Sequence, residues 1–176
     1  MRSIDLFCGL GGLSLGMKQA GITPVLGIDI WSDALDVYKK NFPRADIEQG
    51  DIGSAAFRDS IVERWKGRAD VVVGGVPCQS FSSRNIVNRN GSKLPFQAID
   101  LATRLEPEFV ILEEVPGITT MRHTKTRTYA ESMLKAFRDR GYSAEYRVLN
   151  AADHGVAQSR RRLFMIARLG KHTDVF

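Results

Sequence analysis

No apolar run in the chain approaches the roughly 20 residues that span a bilayer. The opening Met1-Arg2-Ser3-Ile4-Asp5 lacks the charged-then-apolar pattern of an export signal. Membrane insertion is therefore not expected, and a cytoplasmic location is. Cysteine is scarce: Cys8 and Cys78 are the only two among 176 residues. That count excludes the disulfide framework of small secreted domains and favours free thiols in a reducing compartment. His123 and His154 are not spaced as metal ligands, so no metal is expected. Internal repeats, linkers and low-complexity tracts are absent, which makes residues 1–176 a single domain, long enough to bury about 70% of its unfolded surface. Carboxylates are outnumbered, 20 Asp and Glu against 25 Lys and Arg, for a net charge of +5. The excess favours a polyanionic partner without specifying one.

What is present is an alternation of short apolar runs and segments of helical period. Ile4–Phe7, Pro24–Ile28, Ala45–Glu48, Val71–Val73, Phe109–Leu112, Tyr146–Leu149 and Leu163–Ala167 read as strands. Between them, Leu13, Met17 and Ala20 mark one helical face, and Leu35, Tyr38 and Phe42 a second, with Ser32 as its expected cap. Phe57 and Ile61 follow a Ser54 cap, Ile99 and Ala102 follow Pro95, and Tyr129, Met133 and Phe137 precede a stop at Gly141. Strands apolar on both faces, alternating with helices, predict an α/β fold: a mostly parallel sheet covered on both sides.

Ligands of such sheets bind beyond the carboxyl ends of the strands. The chemically distinctive residues, Phe7–Gly12, Asp29, Asp51, Pro77–Cys78 and Glu113, all fall there. The turn Gly9-Leu10-Gly11-Gly12 allows close backbone approach to a ligand beside a helix N-terminus, and Asp29 sits where an acid can hold ribose hydroxyls. The same residues also read as a plain strand-to-helix turn with Asp29 capping a helix. The third glycine comes too early for a dinucleotide fingerprint, which favours another adenosine-bearing cofactor over a nicotinamide. Cys78 follows a strand and a rigid proline and opens a basic loop, so it is presented like a nucleophile.

Four elements occur in order: Asp5-Leu6-Phe7-Cys8-Gly9-Leu10-Gly11-Gly12, Gly75-Val76-Pro77-Cys78-Gln79-Ser80-Phe81-Ser82, Glu113-Glu114-Val115-Pro116-Gly117 and Gln158-Ser159-Arg160-Arg161-Arg162. Together they resemble the cytosine-5 DNA methyltransferase family, over essentially the whole chain. The resemblance implies a Rossmann-like methyltransferase fold of six to seven strands, S-adenosylmethionine as cofactor and DNA as partner. It implies that Cys78 adds to carbon 6 of cytosine, which is otherwise too weak a nucleophile at carbon 5. A lowered thiol pKa is then needed, with Arg84, Arg160 and Arg162 as sources of positive potential. Glu113 matches the acid acting at N3, protonated or sharing a proton. Arg162 matches the arginine that steadies base and glutamate, and Arg160 the one near nucleophile and phosphate.

For the cofactor, the resemblance places Phe7 near the adenine and Gly9, Gly11 and Gly12 along the methionine end. It puts Asp29 at the ribose, Asp51 and Ile52 at the adenine edge, and Pro77 and Leu94 on the remaining wall, with Ile30 also among the cofactor-binding residues. Gln79, Ser82 and Arg84 are assigned to DNA. The loop from Ser83 to Lys93, with three cations and no acid, reads as a lid over a flipped base. Arg122–Arg127 is a second basic stretch, which reads first as solvated surface and second as a phosphate contact.

Two departures stand out. The family has asparagine where this chain has Glu114, and a second carboxylate there disfavours ionisation of Glu113. The chain also stops at Phe176, whereas family members continue into a target-recognition region and a returning segment. Apolar surface is therefore expected on the first helix and at a sheet edge near Ile4–Phe7, with a second chain as a candidate for the recognition part. Three readings follow: a catalytic half of a DNA methyltransferase, a non-catalytic remnant or regulatory subunit keeping the fold, and an RNA cytosine-5 methyltransferase.

Overall fold

A computed structural model describes residues 1–77 and 93–176. Among the described residues seven strands form: β1 (Arg2–Leu6), β2 (Thr23–Asp29), β3 (Asp46–Gln49), β4 (Val71–Gly75), β5 (Phe109–Glu114), β6 (Tyr142–Asn150) and β7 (Arg161–Leu169). They form one sheet in the order β3-β2-β1-β4-β5-β7-β6. β1 to β5 pair in parallel, and β7 runs against both β5 and β6. Only β7 is therefore reversed. The helices are α1 (Gly12–Gln19), α2 (Ser32–Asn41), α3 (Ala55–Trp65), α4 (Leu94–Arg104) and α5 (Tyr129–Arg138). The predicted α/β architecture with six to seven strands is what forms. β6 and β7 are each nine residues, longer than their apolar segments predict, because they pair with each other along their length.

Alternation within β1 shows how both faces are covered. Ile4 and Leu6 enter the larger apolar cluster with Ile61 of α3, Ile99 of α4 and Phe137 of α5. Asp5, between them, points the other way and bonds to Ser14 of α1. On that second face α2 contributes Leu35, Tyr38 and Phe42 to a smaller cluster. Farther along it, Ile111, Phe164 and Ile166 are only partly buried.

Local signals hold at most helix starts. Ser54 accepts a hydrogen bond from the Phe57 amide. Thr128 and Glu131 form a reciprocal capping box at α5, where Glu131 Oε2 accepts from the Thr128 amide at 2.7 Å. Pro95 sits in the first turn of α4. Three expectations need correction. Ser32 is the first residue of α2, not its cap: Trp31 occupies that position in extended conformation, and the Ser32 hydroxyl bonds to Asp33 instead. On α1 the buried residue is Ser14, while Ala20 is exposed and Leu13 and Met17 are half-buried. The segment near Ile4–Phe7 is no sheet edge: β1 is central, and Ile4 and Leu6 are fully buried. Exposed apolar groups do occur beside it, at Leu10 and Leu15.

Among the described residues, no helix is long and apolar enough to cross a membrane. No group of three or more His, Cys, Asp or Glu among them is placed to hold a metal ion.

Candidate active site and cofactor cleft

The turn after β1 is built on left-handed backbone. Phe7 (φ 57°), Gly9 (φ 49°) and Gly11 (φ 96°) all adopt positive φ. For a phenylalanine this costs about 1–2 kcal/mol, and such strain concentrates at functional sites. It turns the chain so that the Cys8 amide bonds to the Ile28 carbonyl at 3.0 Å and the Gly11 amide to the Cys8 carbonyl at 2.8 Å. At Gly11 a Cβ would lie 2.3 Å from the Phe42 ring, so glycine is required there by space as well as by backbone.

Asp29 closes this turn from the end of β2. Its Oδ2 accepts from the Gly9 amide at 2.8 Å and its Oδ1 from the Trp31 amide at 3.0 Å. The next residues, Ile30 and Trp31, hold large apolar side chains in solvent, 65% and 59% exposed. From β3, the Gly50 amide reaches the Asp29 carbonyl at 3.0 Å. Asp51 is exposed and accepts from the Gly53 amide through Oδ1 at 2.7 Å. Ile52 is buried in the core, so only its backbone can face a ligand. The predicted ribose and adenine residues are thus joined into one patch at the ends of β2 and β3.

A cleft of about 680 Å³ opens on the other side of the turn. It is lined by Phe7, Gly12 and Leu13 on one wall and by Glu113, Arg160 and Arg162 on the other. Asp5 also reaches it and is buried beneath. Asp5 Oδ2 accepts from the Ser14 hydroxyl at 2.7 Å and the Ser14 amide at 3.1 Å, and Ser14 Oγ in turn meets Tyr38 Oη at 2.8 Å. Burial pushes the Asp5 carboxyl up to about 7, against the opposing effect of the Ser14 bonds. Its Oδ1 has no partner among the described residues. Burial, aided by the Asp5 and Asp29 charges, also pushes the Cys8 thiol well up, away from the reactive thiolate form.

On the far wall, Arg162 Nε lies 2.8 Å from Glu113 Oε1, and Arg160 approaches the same oxygen at 3.8 Å. The pairing of β5 with β7 sets Glu113 opposite Phe164, two residues from Arg162 on the same face. Asn150 accepts from the Arg160 amide at 2.9 Å and so anchors the start of β7. Gly75 lies beside Glu113 in the sheet, and a Cβ there would sit 3.4 Å from Glu113 Oε2. Glu114 faces the opposite side of the strand and is 1% exposed. Burial pushes its carboxyl up to about 8, with the Glu113 charge adding to the effect and a bond from the Val115 amide opposing it. The second carboxylate is therefore separated from Glu113 by the strand itself, and Glu114 is the group whose ionisation is suppressed.

The structure brings Glu113, Arg160 and Arg162 together with Phe7 and Gly12, and ties Gly9 to Asp29. Pro77, at the exit of β4, is exposed, and Leu94 is half-buried at the start of α4. Cys78, Gln79, Ser82, Arg84 and the remainder of the loop up to Ser92 lie outside the described residues. Sequence reasoning did not single out Asp5, which the structure places beneath the cleft, or Trp31, exposed beside Asp29. An acid inside an otherwise apolar strand, and an aromatic two residues after a strand-end acid, were the available signals.

The fit to S-adenosylmethionine rests on two features. Asp5 presents an unpartnered carboxyl oxygen, suited to a cationic group, and the α1 N-terminus at Gly12 and Leu13 suits a carboxylate. A zwitterionic amino-acid end matches both.

Sheet order, the single reversed strand and strand-end placement of these residues define an α/β fold of the Rossmann-like methyltransferase class. The chain belongs to the C-5 cytosine-specific DNA methylase family, whose sequence model matches residues 1–174. It is 38% identical over 175 residues to the type II methyltransferase M.XorII of Xanthomonas oryzae pv. oryzae, covering 95% of this chain and 40% of that protein. It is 35% identical over 170 residues to M1.HphI of Haemophilus parahaemolyticus, covering 94% and 45%. A crystal structure described as a prophage-encoded DNA modification methyltransferase from E. coli superposes with a TM-score of 0.77 at 29% identity, over 96% of this chain and 47% of the other. The S. pombe Dnmt2 methyltransferase shares the fold with a TM-score of 0.75 at 21% identity, over 99% and 50%. The chain thus spans less than half the length of these curated relatives.

Proposed function

We propose that this chain carries the catalytic half of a cytosine-5 DNA methyltransferase, moving a methyl group from S-adenosylmethionine to carbon 5 of cytosine in DNA. The observation that carries the reading is the Glu113–Arg162 pair, with Arg160 beside it, on the cleft wall next to the strand that leads into Pro77–Cys78. Selection of the target sequence falls to a recognition part in a longer chain or a partner.

The cofactor, when bound, supplies an electrophilic methyl group. Phe7, Gly9, Gly11 and Gly12 hold it along the strained turn, Asp29 and Ile30 at the ribose, and Asp51 and the Ile52 backbone at the adenine edge. Pro77 and Leu94 complete the wall. Asp5 places negative potential under the amino-acid end.

Cys78 acts as the nucleophile. Its thiolate forms a bond to carbon 6 of an extruded cytosine, which drives electron density to carbon 5 and raises the proton affinity of N3. Glu113 meets that demand at N3 by sharing a proton, with Arg162 fixing the carboxyl through Oε1 and leaving Oε2 over Gly75. Arg160, half-exposed at the mouth, supplies positive potential for the thiolate and a phosphate. Methyl transfer leaves S-adenosylhomocysteine; water then takes the carbon 5 proton, the Cys78 sulfur departs as thiolate and N3 returns the shared proton to Glu113, which restores the aromatic ring. Gln79, Ser82 and Arg84 contact the DNA.

The test is covalent trapping on DNA containing 5-fluorocytosine, which blocks loss of the carbon 5 proton, in the presence of S-adenosylmethionine. A stable adduct with the unaltered protein and none with Cys78→Ser is expected. Equal adduct yield from both would refute the role of Cys78. A parallel transfer assay on duplex DNA and a structured RNA, with and without the product of an adjacent reading frame, separates the substrates.

A further inference from the structure

The turn Gly50–Ser54, between β3 and α3, is held from a direction that neither the strand nor the helix explains. Arg58, in the N-terminal half of α3, folds back over the helix start. It donates through one guanidinium nitrogen to the carbonyls of Ile52 at 2.7 Å and Gly53 at 3.0 Å. Its Nε pairs with Asp100 of α4 at 3.2 Å, and its side chain is only 12% exposed. A cation near a helix N-terminus opposes the helix dipole, so the stability of α3 does not account for this placement. Gln97, also on α4, gives a second donor to the Gly53 carbonyl at 3.0 Å. From the other side the Gly50 amide is fixed to the Asp29 carbonyl. Asp51 spends Oδ1 on the Gly53 amide, and its side chain stays exposed.

From this geometry we infer that Arg58 is a positioning residue for adenine recognition: with Gln97 it locks the Asp51–Gly53 turn against α4, so that the Asp51 carboxylate and the Ile52 backbone meet the edge of the purine. The inference rests on the proposed cofactor site. Arg58 itself touches no ligand. It aligns acceptor and donor groups whose spacing discriminates an amino-substituted purine from an oxo-substituted one, because a donor or acceptor left unpaired beneath the bound purine is penalised. Because α4 starts where the Pro77–Cys78 loop ends, the same clamp ties the purine patch to the helix that follows the nucleophile.

The experiment compares binding of S-adenosylhomocysteine and S-inosylhomocysteine, which differ at the purine 6-position, by calorimetry. The unaltered protein should prefer the adenosyl ligand by about tenfold or more. Arg58→Met should reduce that preference to below threefold, with Arg58→Lys restoring part of it. Gln97→Leu, which leaves the ion pairs intact, should shift the preference in the same direction by less and serves if Arg58→Met does not fold. Arg104→Met, which removes surface pairs to Asp59 and Asp100 without touching the turn, should keep the full preference. An unchanged preference in Arg58→Met or in Gln97→Leu, or an equal loss in Arg104→Met, overturns the inference. Binding without any purine preference in the unaltered protein also overturns it and leaves the cofactor reading intact, whereas no binding of either ligand removes the cofactor reading itself.

Discussion

Arg162 holds Glu113 by a single 2.8 Å contact from Nε to Oε1, across the junction of the parallel strand β5 and the reversed strand β7. Reversal of β7 is what makes this possible. It brings a basic segment that follows β6 back to the carboxyl end of β5, where the rest of the site lies.

Removing that contact should weaken chemistry more than binding. Arg162→Met is expected to lower the rate of methyl transfer by about a hundredfold or more, the usual effect of deleting one preorganised electrostatic contact. Cofactor affinity should change by less than threefold. Glu113→Gln should behave similarly, and the double variant should fall short of the product of the two, because the residues act as a unit. Single-turnover transfer rates and S-adenosylhomocysteine titrations measure both quantities.

Glu114 makes stability depend on pH. Its carboxyl is pushed by burial from 4.5 up to about 8, so the folded chain retains a proton that the unfolded chain has released. The stabilising contribution is complete below about pH 4.5 and is lost as pH rises to about 8, levelling off above. Glu114→Gln keeps the neutral form at all pH values. It should leave stability unchanged near pH 4 and raise it by several kcal/mol at pH 8.5. Urea unfolding across this range decides the matter, and a difference that does not grow with pH would contradict the assignment.

Tyr38 passes over Gly27, where an added Cβ would lie 2.6 Å from its ring. Gly27→Ala should therefore force the ring aside, break the Tyr38–Ser14 contact under Asp5, and cost about 1–3 kcal/mol. Tyr38→Phe, which keeps the ring and loses the hydroxyl, should cost about 1 kcal/mol. Thermal melts should rank the two in that order.

Trp31 exposes its indole next to the backbone that Asp29 organises. If it covers a purine face, Trp31→Ala should weaken S-adenosylhomocysteine binding by about tenfold, a typical stacking contribution. Unfolding free energy should move by less than about 0.5 kcal/mol, since the side chain packs little. Fluorescence quenching of Trp31 by the ligand offers an independent readout.

Much of the architecture was legible in linear order. Buried parallel strands such as Val71–Val73 and Phe109–Leu112 are apolar throughout, so their runs identify them without knowledge of their partners. Ser54 and Thr128 cap their helices through contacts within three residues, which sequence states directly. The candidate site was legible because Glu113, Asp29 and Phe7 lie at the carboxyl ends of strands, and strand ends converge in this fold.

What composition and periodicity determined was the set of elements and the residue types gathered at their ends. Only the tertiary structure decided the rest. It placed β1 in the interior of the sheet, left α1 with Ser14 as its one buried residue, and put Glu113 and Glu114 on opposite faces, one paired with arginine and the other buried in the core. It also turned Arg58, unremarked in the sequence, onto the carbonyls of Ile52 and Gly53. The physical reason is common to all four: burial and charge pairing depend on which strands and helices lie side by side, and contacts between residues tens of positions apart leave no periodic trace in the chain.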